Sequence, residues 1–201
     1  MVGVSCALAV VLGLPIGVVL VTTEKKNILD NPGVNQAFGA AVNIGRSIPF
    51  VILMVAIMPF TRILTGTSIG TTAAIVPLTI AAVPFVARMV ETSLREVDPG
   101  VVEAAQAIGA SPWEIITKVL IPEAKPSLIL GVTITAINLV GYSTMAGAIG
   151  GGGLGDLAVR YGYQRFRGDV MFATVVILVL LVQGVQTLGG TLAKKVEKRR
   201  S

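Results

Sequence analysis

Charged residues in this chain are gathered between long apolar blocks, where a soluble domain would scatter them through the sequence. Five strongly apolar stretches hold no Asp, Glu, Lys or Arg: residues 1–23, 47–61, 63–87, 126–155 and 170–193. A hydrocarbon core about 30 Å thick takes about 20 helical residues to cross, and four of the five blocks reach that length. The pattern predicts an all-α membrane protein, one transmembrane domain over 1–201 with spans at about 2–22, 47–66, 69–87, 126–149 and 170–192. The second block is short. Its charge-free residues rise only about 22 Å, so either Arg62 snorkels or the span extends back past Arg46.

Breakers fall inside these blocks. Pro15, Pro49, Pro59, Pro77 and Pro84 lie within spans or at their ends, which a packed bundle tolerates when neighbouring helices satisfy the freed carbonyls. Gly13 and Gly17, Gly66 and Gly70, and Gly147 and Gly151 each have the four-residue spacing that lets helices approach closely.

Composition agrees with the blocks. Apolar residues make up 53% and charged residues 13%, about half the usual share in a soluble domain. Mean hydropathy is +0.82. With no His and a single Cys (Cys6), disulfide frameworks, zinc sites, haem ligation by His and His-based triads are excluded, and neither a metal nor a cofactor is expected. The first block is expected to be a span and not a signal peptide, since it lacks a basic leading region and Glu24-Lys25-Lys26 follows it.

The formal charge is +5, and the placement of the basic residues in the loops sets the orientation. With the N-terminus outside, the inner segments 24–46, 88–125 and 194–201 hold twelve basic residues: Lys25, Lys26, Arg46, Arg88, Arg95, Lys118, Lys125, Lys194, Lys195, Lys198, Arg199 and Arg200. The outer segments hold four: Arg62, Arg160, Arg165 and Arg167. The basic tail reads as an inside anchor, with a lipid-binding patch as the alternative.

The inner loop 88–125 carries signals for structure of its own. Asp98 can cap a helix that has Pro99 at its first position, and Gly109 can end it in the left-handed conformation. Ser111-Pro112-Trp113-Glu114 reads as a capping box opening a second short helix that ends before Pro122. Ala105, Gly109 and Ile115 also sit at helix-turn-helix spacings. The second helix, however, offers Trp113, Glu114, Thr117 and Lys118 with no Arg to read bases, and both ends are tied to the membrane, so no nucleic acid is expected. An interfacial helix pair and a docking element for a cytoplasmic partner remain.

Glu103-Ala104-Ala105, Gly109 four residues on, and Val119-Leu120-Ile121-Pro122 after nine more resemble the EAA loop of ABC-importer permease subunits. That pattern is E-A-A-x3-G-x9-I-x-L-P. Val119 and Ile121 depart from it, both conservatively in volume. The resemblance implies a type I permease fold in which the 88–125 loop is the coupling loop. ATPase docking would fall to Glu103, Ala104, Ala105, Gly109, Ala110, Ser111, Ile121 and Pro122. Arg46-Ser47-Ile48-Pro49-Phe50, Ala74-Ile75-Val76-Pro77-Leu78-Thr79, Ala87-Arg88-Met89-Val90-Glu91, Gly141-Tyr142-Ser143 and Gly151-Gly152-Gly153-Leu154-Gly155 are similar to the methionine-importer permease subfamily. Its members have five spans and work as homodimers in the bacterial plasma (inner) membrane. The implied partners are two cytoplasmic ABC ATPase subunits, a second copy of the chain, an extracytoplasmic substrate-binding lipoprotein and membrane lipid. Family members usually carry more residues before the first span, whereas here Met1 nearly begins it.

No Gly is followed by Lys, so the phosphate-binding G-x-x-x-x-G-K-[ST] loop is absent; the chain is expected not to be an enzyme, with ATP hydrolysis in a separate subunit. Gly153-Leu154-Gly155-Asp156 matches an intramembrane aspartyl protease pattern, but Asp30, Asp98 and Asp169, the possible second carboxyls, fall in loops. No charge lies deep in a span, which argues against an ion-coupled carrier. Polar span residues point to a substrate pathway at Asn138, Tyr142, Ser143, Thr144 and Met145, with Thr133, Thr135, Gln183 and Gln186 nearby. The alternative is that these groups bond within their own helix or between helices. The Gly150–153 run reads as a flexible outer turn or gate. The reading is the permease of an ATP-driven methionine importer; the alternatives are a permease for another small amino acid or organic ligand, and a scaffold without a pathway.

Overall fold

The structure is a computed structural model that describes residues 1–25 and 27–198. Lys26, Arg199, Arg200 and Ser201 lie outside the described residues, and with them three of the basic residues expected on the inner side. Every regular element among the described residues is helical. Four helices are long and apolar enough to cross a membrane, and a bent pair brings the number to five if it counts as one span.

The bundle is built on α1 (Val2–Thr22) and α5 (Thr71–Arg95). They pack closely because Gly13 and Gly17 present bare backbone to Val86 and Val90. Ala9, Leu78, Ala82, Val86 and Val90 fill the seam. Pro15, Pro77 and Pro84 all sit inside these helices, as expected. α9 (Lys125–Ala146) completes the core against α5, and α11 (Gly168–Glu197) lies along α9 with most of its apolar surface facing outward.

The predicted second span is not one helix. Residues 47–66 hold α3 (Phe50–Ala56) and α4 (Met58–Thr65), separated at Ile57. Pro49 stands at the N-cap of α3 and Pro59 in the first turn of α4, where a missing N–H and a locked φ begin helices more readily than they continue them. The expected inner loop 24–46 is also corrected, because α2 (Pro32–Ser47) occupies most of it. Asn31 caps α2, its Oδ1 accepting from the Val34 N–H at 3.2 Å, and Pro32 follows at the first position. Residues 31–45 are as free of charge as the second block, but Asn35, Gln36 and Asn43 among them confine the apolar residues to one stripe, so no span is read there. α2 and α3 meet at 99°.

Other boundaries move as well. The third span is expected to end at 87, yet α5 continues to Arg95 because Val90, Ser93 and Leu94 keep burying the same face. Gly66 (φ +75°) ends α4 and Gly70 (φ +106°) precedes α5, so this glycine pair makes a turn and not a helix contact. After α6 (Pro99–Ala107), the helix opened by α7 (Pro112–Glu114) does not stop before Pro122. It passes through a wide π turn (Ile115–Leu120) into α8 (Ile121–Glu123) and reaches α9 after Ala124. In the wide turn the Ile121 N–H bonds the Ile116 carbonyl five residues back, and this shift of register carries the chain past a proline.

Beyond α9 the chain turns back through a second wide turn (Gly147–Gly151), α10 (Leu154–Leu157) and a third (Ala158–Tyr163). The glycine run expected to be a flexible turn is closely packed. A Cβ at Gly151 would lie 2.7 Å from the Ala146 carbonyl oxygen, and the Gly150 carbonyl accepts from the Gly70 N–H at 2.9 Å. That bond ties the turn to the start of α5.

Candidate functional site

The segment Asp98–Glu123 is a folded unit whose local chemistry accounts for each of its turns. The Asp98 carboxylate accepts from the Gly100 N–H at 2.8 Å, with Pro99 at the first helical position. At the other end of α6, Gly109 adopts φ +81°. Its N–H bonds the Gln106 carbonyl and the next N–H, of Ala110, bonds the Ala105 carbonyl, at 3.0 and 3.1 Å. This paired closure satisfies the last carbonyls of the helix and requires the left-handed residue that glycine supplies. The capping box at Ser111 is also present. The Glu114 N–H donates to Ser111 Oγ at 3.4 Å and the Ser111 N–H to Glu114 Oε2 at 3.1 Å. Lys118 Nζ lies 2.9 Å from Glu114 Oε1 one turn on. The hydrogen bond from Lys118 and those from Ser111 hold the Glu114 carboxyl down at about 2.

Packing divides the unit into an inner and an outer face. Ala105, Ile115, Ile116, Leu120 and Ala124 are buried in the same core as Val21 and Leu94, with Ala110 and Ile121 packed against them. Outward stand Ala104, Ala107, Ile108 and Trp113, the last two 86% and 73% exposed. Glu103, Ser111 and Pro122 are exposed as well. Glu103 lines a cleft of about 300 Å³ with Asn27, Arg95 and Gln106. Of the eight residues expected to dock the ATPase, Glu103, Ala104, Gly109, Ser111 and Pro122 are exposed, whereas Ala105 is buried and Ala110 and Ile121 pack inward.

The pathway residues are less unified. Ser143 is buried and its hydroxyl donates to the Val140 carbonyl at 2.8 Å; that of Thr144 donates to Gly141 at 2.6 Å. Thr133 and Thr135 bond back to Ile129 and Gly131 in the same way. These hydroxyls serve their own helix, the alternative the sequence left open. Tyr142 stacks flat on Phe50 of α3, ring centres 4.8 Å apart. Asn138 is half-buried and Met145 exposed, as are Gln183 and Gln186. No group of His, Cys, Asp or Glu among the described residues could hold a metal ion.

One cluster was given no role by the sequence, although Arg88 and Glu91 stand in the segment Ala87-Arg88-Met89-Val90-Glu91. Glu91, 2% exposed on α5, bridges Arg88 and Arg95 at 2.6 and 2.7 Å. Arg88 also donates to Asn43 of α2, and Arg95 to Glu24 in the turn after α1. The signal that joins the three is the spacing 88, 91, 95, a single face of a helix once the third span is extended past Ala87. The partners Asn43 and Glu24 lie 45 and 71 residues away and leave no local trace.

Residues 10–200 match the family described as binding-protein-dependent transport system inner membrane component. The chain belongs to this family. Within it, the chain is similar to the probable D-methionine transport system permease protein MetI of Vibrio cholerae, 56% identical over 99% of this chain and 88% of that protein. It is also similar to the methionine import system permease protein MetP of Bacillus subtilis, 48% identical over 90% of this chain and 81% of the relative. Among solved structures, a chain of the MetNI methionine ABC transporter in inward-facing conformations superimposes with a TM-score of 0.96 at 49% identity. That match covers 98% of this chain and 91% of the other. An amino acid ABC transporter chain, 20% identical with a TM-score of 0.67, shares the fold. Family membership accounts for the all-helical architecture and for an inner-membrane subunit without a phosphate-binding loop of its own.

Proposed function

We propose that this chain is the membrane-spanning permease subunit of an ATP-binding-cassette importer that moves methionine inward. The observation that carries this reading is the near-complete superposition on a methionine ABC transporter chain at 49% identity. Two copies form the pathway, two ATPase subunits dock from the cytoplasm, and an extracytoplasmic lipoprotein delivers the substrate. The N-terminus lies outside and the C-terminus inside, with five spans, the second of them broken at Ser47-Ile48-Pro49 and again at Ile57.

The docking unit supports this division of labour. An apolar patch built from Ala104, Ala107, Ile108 and Trp113 on a doubly capped helix pair is what a protein partner covers. Glu103 and Ser111 rim it, and Gly109 permits the turn between the helices. Closure of the ATPase dimer moves this rigid pair, and α5 and α9, attached on either side, carry the movement into the bundle. Asn138, Tyr142 and Met145 of α9, beside Ser143 and Thr144, line the route by which methionine leaves.

ATP-dependent uptake of labelled methionine tests the proposal, in proteoliposomes holding this chain with its ATPase and binding protein. Uptake above an ATP-free control is expected. A stable complex with active ATPase but no methionine uptake would move the substrate to another small amino acid. Failure to bind any ATPase subunit would leave a scaffold and overturn the permease reading.

A further inference from the structure

We propose that Glu91 is a positioning residue through which movement of the docking unit reaches α2 and the turn after α1. The inference rests on the importer reading above. The Glu91 side chain, 3% exposed, meets Arg88 Nη1 with Oε2 at 2.6 Å and Arg95 Nη2 with Oε1 at 2.7 Å. The three residues share one helix face, three and four positions apart, so α5 alone pre-arranges them. Each arginine then reaches off the helix. Arg88 Nη2 donates to Asn43 Oδ1 of α2 at 2.6 Å, and Arg95 places Nε and Nη2 each 3.3 Å from the Glu24 carboxylate. Asn43, Arg88, Glu91, Arg95 and Glu24 thus form one continuous chain across three segments, its two positive and two negative charges balanced.

The placement matters more than the pairing. Arg95 is the last residue of α5, immediately ahead of the Asp98 cap, and it shares the 300 Å³ cleft with Glu103 of α6. A displacement of α6 therefore arrives first at Arg95. On one side it passes to Glu24. On the other it passes through Glu91 and Arg88 to α2, which continues through the 99° bend into α3, where Phe50 stacks on Tyr142.

Stiffness comes from the centre of the chain. The Arg95–Glu24 pair is about half exposed, and such pairs in water are screened and yield easily. Glu91 is buried between two charge-assisted contacts, and releasing either leaves one of its buried carboxylate oxygens without that partner. It moves with both arginines or not at all.

The test uses the complete transporter, comparing the unaltered chain with Glu24→Gln, Asn43→Ala, Glu91→Gln and Glu91→Asp. The first two cut the ends of the chain without stranding Glu91. The readout is methionine taken up per ATP hydrolysed, alongside the yield of assembled complex. A fall of at least about fivefold is expected for Glu91→Gln, the low end of the range for a coupling interaction, with ATP hydrolysis retained. Smaller falls are expected at the two ends, with partial recovery in Glu91→Asp. Unchanged uptake per ATP in Glu24→Gln, Asn43→Ala and Glu91→Gln would overturn the proposal. So would loss of uptake in Glu91→Gln that only follows loss of assembled complex, with both end variants unaffected. Absence of any ATPase complex with the unaltered chain would overturn the importer reading, and this inference with it.

Discussion

Gly17 of α1 faces Val90 of α5 at a distance that leaves no room for a side chain: a Cβ at position 17 would lie 2.5 Å from the Val90 Cβ and 2.6 Å from the Ala87 carbonyl oxygen. One turn earlier, Gly13 stands against Val86 in the same way, with 2.7 Å available. The two glycines set the spacing of the central helix pair, and backbone atoms on the facing helix cannot withdraw as the tip of a flexible side chain would.

Gly17→Ala is therefore expected to destabilise the protein by about 1–3 kcal/mol, the usual effect of overpacking a filled interface. Gly3→Ala is the matched control, since nothing lies within 4 Å of a Cβ there. Thermal unfolding of the detergent-solubilised chain should show a lowered Tm for position 17 and none for position 3.

Gly109 raises a different problem, because open space surrounds it and only its φ of +81° is demanding. A β-branched residue there meets a backbone penalty of about 1–2 kcal/mol or more, since Cβ crowds the next carbonyl. Gly109→Val should uncouple transport, leaving ATP hydrolysis while uptake falls, and Gly109→Asn should be milder because asparagine tolerates the left-handed region. Uptake and hydrolysis measured on the same proteoliposomes check this.

The capping box carries a pH signature. The Glu114 carboxyl is lowered from 4.5 to about 2 by Lys118 and Ser111. A depressed carboxyl stabilises the fold fully above its unfolded value and loses that contribution as pH falls through the folded one. Amide exchange protection at the start of α7 should thus hold down to about 4.5 and weaken between there and about 2. Lys118→Met should move the Glu114 titration, followed by carboxyl NMR, back toward 4.5.

Phe166 holds φ +55° where the chain leaves the third wide turn, the only non-glycine residue with positive φ among those described, and its side chain is 90% exposed. Its N–H closes on the Tyr163 carbonyl at 3.3 Å, the role a glycine commonly fills after a helix. Phe166→Gly should therefore stabilise the protein by about 0.5–1 kcal/mol. An unchanged or lowered Tm would show that the exposed ring makes contacts that outweigh the backbone strain.

Much of the fold is legible in the sequence because its cause is local. Lipid demands long charge-free helices, so four of the five apolar blocks mark α1, α5, α9 and α11 directly. Caps depend on two or three neighbouring residues, so Asp98, Gly109 and the Ser111–Glu114 box declare themselves within a few positions of chain. The helix pair at 98–123 is legible for the same reason: its shape is written into its own short segment.

What the sequence left undecided depends on residues far apart in the chain. Residues 47–66 read as one span, and only packing against α5 and α9 shows how Pro49 and Pro59 divide it. Arg88 looks like the end of a span until Glu91, Arg95, Asn43 and Glu24 come together and neutralise one another. The hydroxyls of Ser143 and Thr144 pointed to a pathway, yet their donors are taken by carbonyls three residues back. The sequence by itself determined where lipid forces a helix and where a turn residue ends one. Tertiary structure alone decided which buried charges are paired and which helices touch, because those free energies depend on through-space distances of a few ångström that separation along the chain does not encode.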